Sequence, residues 1–427
     1  MSATANAGVD FDDWTGRRDL ATIGTNAGST VLPFQGWRRF KEAFAPELIE
    51  RAYLETCDVK HIVDPFGGSG TTSLAAQFLG AHPTTIEVNP FLADLIEAKV
   101  SLYDIDRLVF SYARVMESAR EVNVSPEPFF ANAPPTFLEP GVDDRFLFSR
   151  AVASRLCAYR QAIEAVEDEP SRRLMRVLLA SVAVPVSNAN ISGKGRRYRT
   201  NWRERMPAPS MVDELFDQGV LSAIFDLRRY ESRRCRSYTL HRGDSRTLVN
   251  DVEPFDLSIF SPPYPNSFDY TDVYNIELWA LGYLNGSDDN RALRSATLRS
   301  HVQVARDFSA ARKRGPLIEE TVEALHHHRA KLWNRHIPDM VGAYFDDMSR
   351  ILEGLRSNIR AGGRVYMVVG DSRYAGVDVP VAAALAAEAS NLGYNLLSSE
   401  PFRSMRASPQ QGGRAELAES LVVFQAA

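Results

Sequence analysis

Val63-Asp64-Pro65-Phe66-Gly67-Gly68-Ser69-Gly70-Thr71-Thr72 is the stretch on which the reading of this chain turns. A short apolar run, HIVD (His61–Asp64), leads into it, and TTSLAAQFLG (Thr71–Gly80) carries helical periodicity away from it. An apolar run that ends on an acid and a glycine-rich turn is a buried parallel strand entering a tight loop. Gly80 then stops the helix. TTIEV (Thr84–Val88) reads as a second strand with Glu87 near its end, and a further helix follows from about Phe91 to Val100. Strand, glycine loop, helix, strand, acid is the opening of an α/β domain with a doubly wound, mostly parallel sheet.

The loop has three readings. Glycines let a backbone turn tightly and approach a ligand closely, and the helix start offers free N–H groups. A phosphate-cradling P-loop needs a lysine before its last Ser or Thr, and there is none. A dinucleotide fingerprint begins at Gly68-Ser69-Gly70, but Ser73 stands where its third glycine belongs. An ordinary glycine-rich turn is the plain alternative.

Working outward, residues 1–30 are rich in Ala, Gly, Thr and Asn and read as a flexible lead-in. Trp37 to Tyr53 shows a helical pattern, and 31–100 forms the first part of the catalytic domain. Residues 101–236 read as a mostly helical insertion with a Pro-rich interruption near Pro126 to Pro140, the candidate recognition region. Strand signals return in SYTLHRGD (Ser237–Asp244), DLSIFS (Asp256–Ser261), GRVYMVVGD (Gly363–Asp371) and ESLVVFQ (Glu419–Gln425), with a helix at PVAAALAAEASNLGY (Pro380–Tyr394). Residues 237–427 therefore form the second part of the catalytic domain, with a helical and basic insertion near 285–340.

FDLSIF (Phe255–Phe260) runs into Ser261-Pro262-Pro263-Tyr264. Two consecutive prolines cannot continue a ladder, so the strand stops and a stiff turn presents its side chains at the sheet's carboxyl edge, where open α/β sheets bind ligands. A rigid loop with a chance tyrosine is the bland alternative. The Ser261 hydroxyl and the Pro262 carbonyl are acceptors that can bind the hydrogens of an amino group whose delocalised lone pair makes it a poor nucleophile. Tyr264 can stack on a planar ring, such as a base turned out of its duplex.

VDPFGGSGTT resembles motif I of the DNA amino-methyltransferases, D-P-F-x-G-S-G-T, and SPPY resembles their motif IV, D/N/S-P-P-Y/F/W. FKEAFAPELI (Phe40–Ile49) is similar to their motif X. The resemblance covers residues 34 to 100 and 238 to 425. It implies a Rossmann-like methyltransferase fold and S-adenosylmethionine as cofactor. Asp64, Pro65, Phe66, Gly67, Gly68, Gly70, Thr71 and Thr72 would cradle that cofactor, Glu87 would bind its ribose hydroxyls, and Asp244 in HRGDS would contact its adenine. Ser261, Pro262, Pro263 and Tyr264 would form the catalytic turn. The serine form resembles the cytosine-N4 enzymes, whereas aspartate is usual in adenine-N6 enzymes. The order departs from the family pattern in one respect: the larger insertion precedes the third-strand acid instead of following it.

Bulk properties bound the partners. The 427 residues are 44% hydrophobic and 24% charged, enough for a substantial core. The formal charge is −5, so a nucleic-acid surface must be a local basic patch. NANISGKGRRYRTNWRERM (Asn188–Met206) is such a patch: Lys194, Arg196, Arg197, Tyr198 and Arg199 are candidates for phosphate contact and base stacking, with a solvated loop as the alternative. ARDFSAARKRGP (Ala305–Pro316) is a weaker one. Phe268 and Tyr270 are placed at the target base. Asp269 either orients the amino group or caps a helix. Cys57, Cys157 and Cys235 are isolated, which supports neither a disulfide framework nor a zinc site, and none follows a proline as a C5-cytosine nucleophile would. His326, His327 and His328 diverge around a helix, so no metal site is expected. The N-terminus lacks signal-peptide character and no apolar run reaches membrane-spanning length, so a cytoplasmic protein without membrane partners is expected. DNA is the expected substrate, with a restriction–modification or defence partner implied only by the resemblance. An adenine-N6 DNA enzyme, an RNA guanine-N2 enzyme and a non-catalytic nucleic-acid binder are the alternatives.

Overall fold

The computed structural model describes residues 10–18, 28–40, 43–192, 195–266, 268–309, 315–406 and 416–426. In chain order the first half holds α1 (Phe11–Thr15), α2 (Pro46–Glu55), β1 (His61–Asp64), α3 (Thr71–Leu79), β2 (His82–Glu87), α4 (Pro90–Val100) and α5 (Ile105–Glu121). It continues through α6 (Arg150–Glu164), α7 (Glu169–Ala183), β3 (Ala189–Ser192), β4 (Gly195–Tyr198) and α8 (Ser210–Arg229). Next come β5 (Thr239–Arg242), α9 (Ser245–Leu248), β6 (Phe255–Phe260), α10 (Tyr270–Val273), α11 (Asn275–Ala280), α12 (Ser287–Ala296), α13 (Pro316–His327) and α14 (Ile337–Asn358). The chain closes with β7 (Ile359–Gly370), β8 (Ser372–Tyr374), β9 (Val377–Val379), α15 (Val381–Asn391), β10 (Tyr394–Arg406) and β11 (Glu416–Ala426).

One seven-stranded sheet organises the fold, in the order β10-β11-β7-β6-β1-β2-β5. Every pairing among β5, β2, β1, β6 and β7 is parallel, and β11 inserts antiparallel between β7 and β10. Numbered by sheet strands alone, the order is 3-2-1-4-5-7-6, the α/β methyltransferase arrangement expected from the glycine loop. Its topological switch lies between β1 and β6, where ligands of open α/β sheets bind.

Alternation along the strands builds two cores. Tyr366 and Val368 of β7 join a cluster with α2, α3 and α4, while Val365, Met367 and Val369 join another with α13, α14 and α15. The first cluster also contains Leu108, Val115, Leu156, Leu178, Phe216 and Val220 from α5 to α8. The 101–236 segment thus shares its core with the sheet instead of packing as a separate body. α7 is the bridge, lying against α4, α6, α8 and α11.

Three local readings are corrected. The helix expected over 37–53 begins only at Pro46, whose fixed φ suits a first turn. Residues 32–38 form turns and bends, and Phe34 there has φ of 66°. The basic stretch at 188–206 contains the β3–β4 hairpin. β10 was not anticipated, because its residues Tyr394–Arg406 are largely polar and it pairs at the sheet's edge.

Part of the lead-in is folded. Asp10 and Asp13 form a capping box for α1, and Trp14 stacks on Phe78 of α3 at 4.8 Å between centroids. Phe34 and Tyr230 meet the same Phe78 ring. The Asp226 carboxylate accepts from Phe34 N at 2.8 Å and Trp37 Nε1 at 2.9 Å, which ties the N-terminal turns to α8. Phe78 therefore joins the lead-in, the sheet domain and the insertion. Phe78→Ala is expected to lower unfolding free energy by about 3–5 kcal/mol, whereas Phe110→Ala on the exposed face of α5 should stay within about 0.5 kcal/mol. Urea titration of both variants checks the contrast.

Candidate active site

The carboxyl ends of β1, β2, β5 and β6 open into a cavity of about 390 Å³. Asp64 to Ser69, Thr71 and Thr72 line it from the glycine loop, Glu87 to Asn89 from the end of β2, Asp244 from β5, and Ser261 to Tyr264 from β6. The structure thus brings the two sequence motifs, almost two hundred residues apart, onto one pocket.

The loop is shaped by contacts on both sides. A Cβ on Gly67 would come within 2.3 Å of Thr85 Cγ2 and 2.7 Å of Ile96 Cδ1. Only glycine lets this backbone lie so close to β2 and α4. Gly68 has φ of 52° and turns its N–H to Glu87 Oε2 at 2.7 Å. Glu87 Oε1 accepts Asn89 N at 2.8 Å. The acid is thereby fixed at the pocket floor with a second lone pair left on each oxygen. Burial pushes the Glu87 carboxyl up to about 7, against those two backbone donors. Burial likewise pushes Asp64 up to about 6, with Phe66 N and the Thr72 hydroxyl donating to it.

Beneath the loop is a residue that sequence reasoning missed. Lys99 of α4 is fully buried and donates to Ser69 O at 2.7 Å and Gln35 Oε1 at 3.1 Å. Burial lowers its ammonium to about 7. Little in the sequence signalled it, because ADLIEAKV also carries Asp94 and Glu97 and Lys99 reads as one more helix-surface charge. Above the loop, Phe40 packs over Gly68 and stacks on Tyr274 at 5.8 Å. Arg38 pairs with the buried Glu277 of α11. The motif-X-like segment thus covers the loop and fastens to the element that follows the catalytic turn; Lys41 and Glu42 within it lie outside the described residues.

Asp244 lines the pocket, but its carboxylate is engaged by Arg246, from Nε at 2.9 Å and Nη2 at 2.6 Å, and caps α9. Arg246 also reaches the buried Asp347, which in turn holds Arg299. Arg306 donates to carbonyls of Thr297 and Leu298. Those arginines pin residues 294–301 along the pocket wall, where Ser300 and His301 face the cavity. Burial lowers the His301 imidazole against the opposing pull of the Asp269 carboxylate 3.6 Å away. Asp269 settles as a helix cap: it accepts from Thr271 N at 3.0 Å and also holds Arg294 at 2.7 Å.

On the Ser261–Tyr264 turn, Ser261 Oγ is 3.1 Å from Tyr264 Oη, and Tyr264 donates to Glu419 Oε1 of β11 at 2.9 Å. Glu419 was not singled out, since it arrives from the antiparallel strand near the chain end. Phe268 is buried in the pocket wall; the Tyr270 side chain lies outside the described residues.

The basic hairpin divides. Arg199 donates to Val184 O at 3.0 Å and Pro185 O at 2.6 Å, which closes the end of α7. Tyr198 stacks on Trp202, and Trp202 is buried against Phe146, so this aromatic pair is packing. Arg196 extends over the Phe137 ring and Arg197 is exposed, while Lys194 lies outside the described residues. β4 rests against α10, beside the pocket. Among the described residues no group of three His, Cys, Asp or Glu is arranged to hold a metal, and no helix is long and apolar enough to cross a membrane.

The fold belongs to the α/β methyltransferase class. The type II methyltransferase M.BsoBI of Geobacillus stearothermophilus is 23% identical over 465 residues, spanning 96% of this chain and 88% of its own. M.AvaI of Anabaena variabilis, also a type II methyltransferase, is 25% identical over 458 residues, spanning 95% and 91%. M.MjaII of Methanocaldococcus jannaschii is 34% identical over 99 residues, 22% of this chain. No family model matches. Overlays on solved structures are loose, as with TrmN from Thermus thermophilus at TM-score 0.28 and 12% identity over 90% of this chain and 49% of that one.

The buried acids make stability depend on pH. Glu87 takes up a proton on folding between its ordinary 4.5 and about 7, so the native state is favoured below that window and loses stability as pH rises through it. Glu87→Gln is expected to flatten, without abolishing, the fall in urea midpoint between pH 5 and 8, because Asp64 still contributes at the lower end. An unchanged slope would show that Glu87 is ionised throughout.

Proposed function

We propose that this chain transfers a methyl group from S-adenosylmethionine to an exocyclic amino group of a DNA base, with cytosine N4 as the target. The observation that carries the reading is the convergence of Ser261-Pro262-Pro263-Tyr264 and the buried Glu87 on one pocket at the sheet's switch point. Two relatives spanning nearly the whole chain are named type II methyltransferases, which favours DNA over RNA. Serine at the head of the turn, where adenine enzymes usually carry aspartate, favours cytosine.

The pocket residues suit such a cofactor. The free lone pairs of Glu87 accept the two ribose hydroxyls, and the glycine loop gives a close backbone floor. The wall at Asp244 receives the adenine edge as a surface, its carboxylate already held by Arg246. Bound S-adenosylmethionine supplies an activated methyl group. The chain then has to position the amino nitrogen and draw its hydrogens away: Ser261 Oγ and the Pro262 carbonyl accept them, Tyr264 and Phe268 flank the ring, and positioning provides much of the rate.

Incubation with labelled S-adenosylmethionine and genomic DNA or total RNA, followed by nucleoside mass spectrometry, tests this. N4-methylcytosine in DNA is expected. N6-methyladenine or N2-methylguanine would reassign the base, and no labelled nucleoside would remove the enzymatic reading. Ser261→Ala should lower kcat by about 10²-fold or more while leaving cofactor affinity unchanged. For the hairpin, Arg197→Ala should weaken binding to all DNA sequences alike and reduce the salt slope by about 1, whereas Arg199→Ala should instead lower thermal stability.

A further inference from the structure

We propose that Tyr264, beyond flanking the base, forms with Glu419 a relay that holds the Ser261 hydroxyl as a pure acceptor toward the substrate amino group and carries its proton away. This rests on the methyl-transfer reading above. The observation is the chain Ser261 Oγ–Tyr264 Oη–Glu419 Oε1, with steps of 3.1 and 2.9 Å. Tyr264 is 8% exposed and Glu419 6%, so water competes little for these groups.

Proton bookkeeping fixes the directions. Tyr264 donates to Glu419 Oε1, so its single hydrogen is committed there. Tyr264 Oη then accepts from Ser261, whose one hydrogen is thereby committed to the tyrosine. Both Ser261 lone pairs are left for the pocket it lines. Without that constraint a serine hydroxyl rotates freely and as readily donates to a base as accepts from it.

The same chain provides an exit for the proton. As the bond from the amino nitrogen to the methyl carbon forms, the carbon–sulfur bond breaks and sulfur keeps the electron pair as a neutral thioether. The nitrogen becomes cationic and releases a proton to Ser261 Oγ. Ser261 passes its own proton to Tyr264, and Tyr264 passes its own to Glu419. The cation is thus neutralised on a carboxyl, which returns the proton to water when product leaves. Atoms and charge balance without any further reactant.

Glu419→Gln and Tyr264→Phe test the relay, singly and together. Each keeps the shape of its side chain. Each is expected to lower single-turnover methyl transfer to DNA by about 10²-fold at saturating cofactor. Affinity for S-adenosylhomocysteine, read by calorimetry, and KM for DNA should stay at the wild-type values, which also shows that the variants fold. The double variant should be no slower than the slower single variant, since both break one chain. Multiplying losses, a wild-type rate in Glu419→Gln, or a loss confined to cofactor binding would overturn the relay. Should Glu419→Gln fail to fold, Tyr264→Phe alone gives the rate test. A wild-type chain that methylates neither DNA nor RNA would instead remove the reading on which the relay rests.

Discussion

The pocket depends on one buried carboxylate. Glu87 sits at the end of β2 with two backbone N–H groups fixed on it, one from the glycine loop and one from the start of α4. An acid taken out of water needs such donors, and burial still holds it near neutrality. In return the acid fixes the loop: Gly68 can reach it only in a left-handed conformation, and Gly67 can lie against Thr85 and Ile96 only without a Cβ. The loop, β2 and α4 are therefore one rigid unit, with Lys99 holding its underside through the Ser69 carbonyl. The unit places acceptors where a polyhydroxylated ligand would present donors.

That unit is tied to the rest by aromatic rings and arginines. Phe40 lies over Gly68 and stacks on Tyr274, and Arg38 reaches Glu277 on the next helix. The cofactor side and the catalytic turn thus share a cover. On the opposite wall Arg246, Arg299 and Asp347 form a buried ionic network around the 294–301 segment. Buried ion pairs contribute little net stability compared with apolar packing, but removing one partner strands the others. The network is better understood as fixing the position of the irregular 297–301 part of that wall than as a source of stability.

How much of this was legible follows from sequence distance. The strand, glycine loop and acid from His61 to Glu87 are local, and their periodicity and turn chemistry carry the fold class. The SPPY turn was legible because consecutive prolines end a strand whatever surrounds it. Glu419 was hidden because it reaches Tyr264 through an antiparallel strand inserted from the far end of the chain, 155 residues away. Lys99 was hidden because a lone lysine on a helix normally faces water. The hairpin arginines misled in a specific way: composition marks Arg196, Arg197 and Arg199 alike, but only tertiary structure shows that Arg199 caps carbonyls at the end of α7. β10 escaped notice because an edge strand with largely polar residues has no apolar face to announce it.

The insertion before the third strand has a physical consequence for recognition. Because α5 to α8 share one core with α3 and α4, and α7 also packs on α11 beside the catalytic turn, this segment cannot move as an independent reader of a distant site. Its β3–β4 hairpin lies against α10, and Arg199 just beyond it is fastened to the carbonyls at the end of α7. The exposed Arg197 of that hairpin therefore keeps a fixed position relative to α10, whose Thr271 lines the pocket.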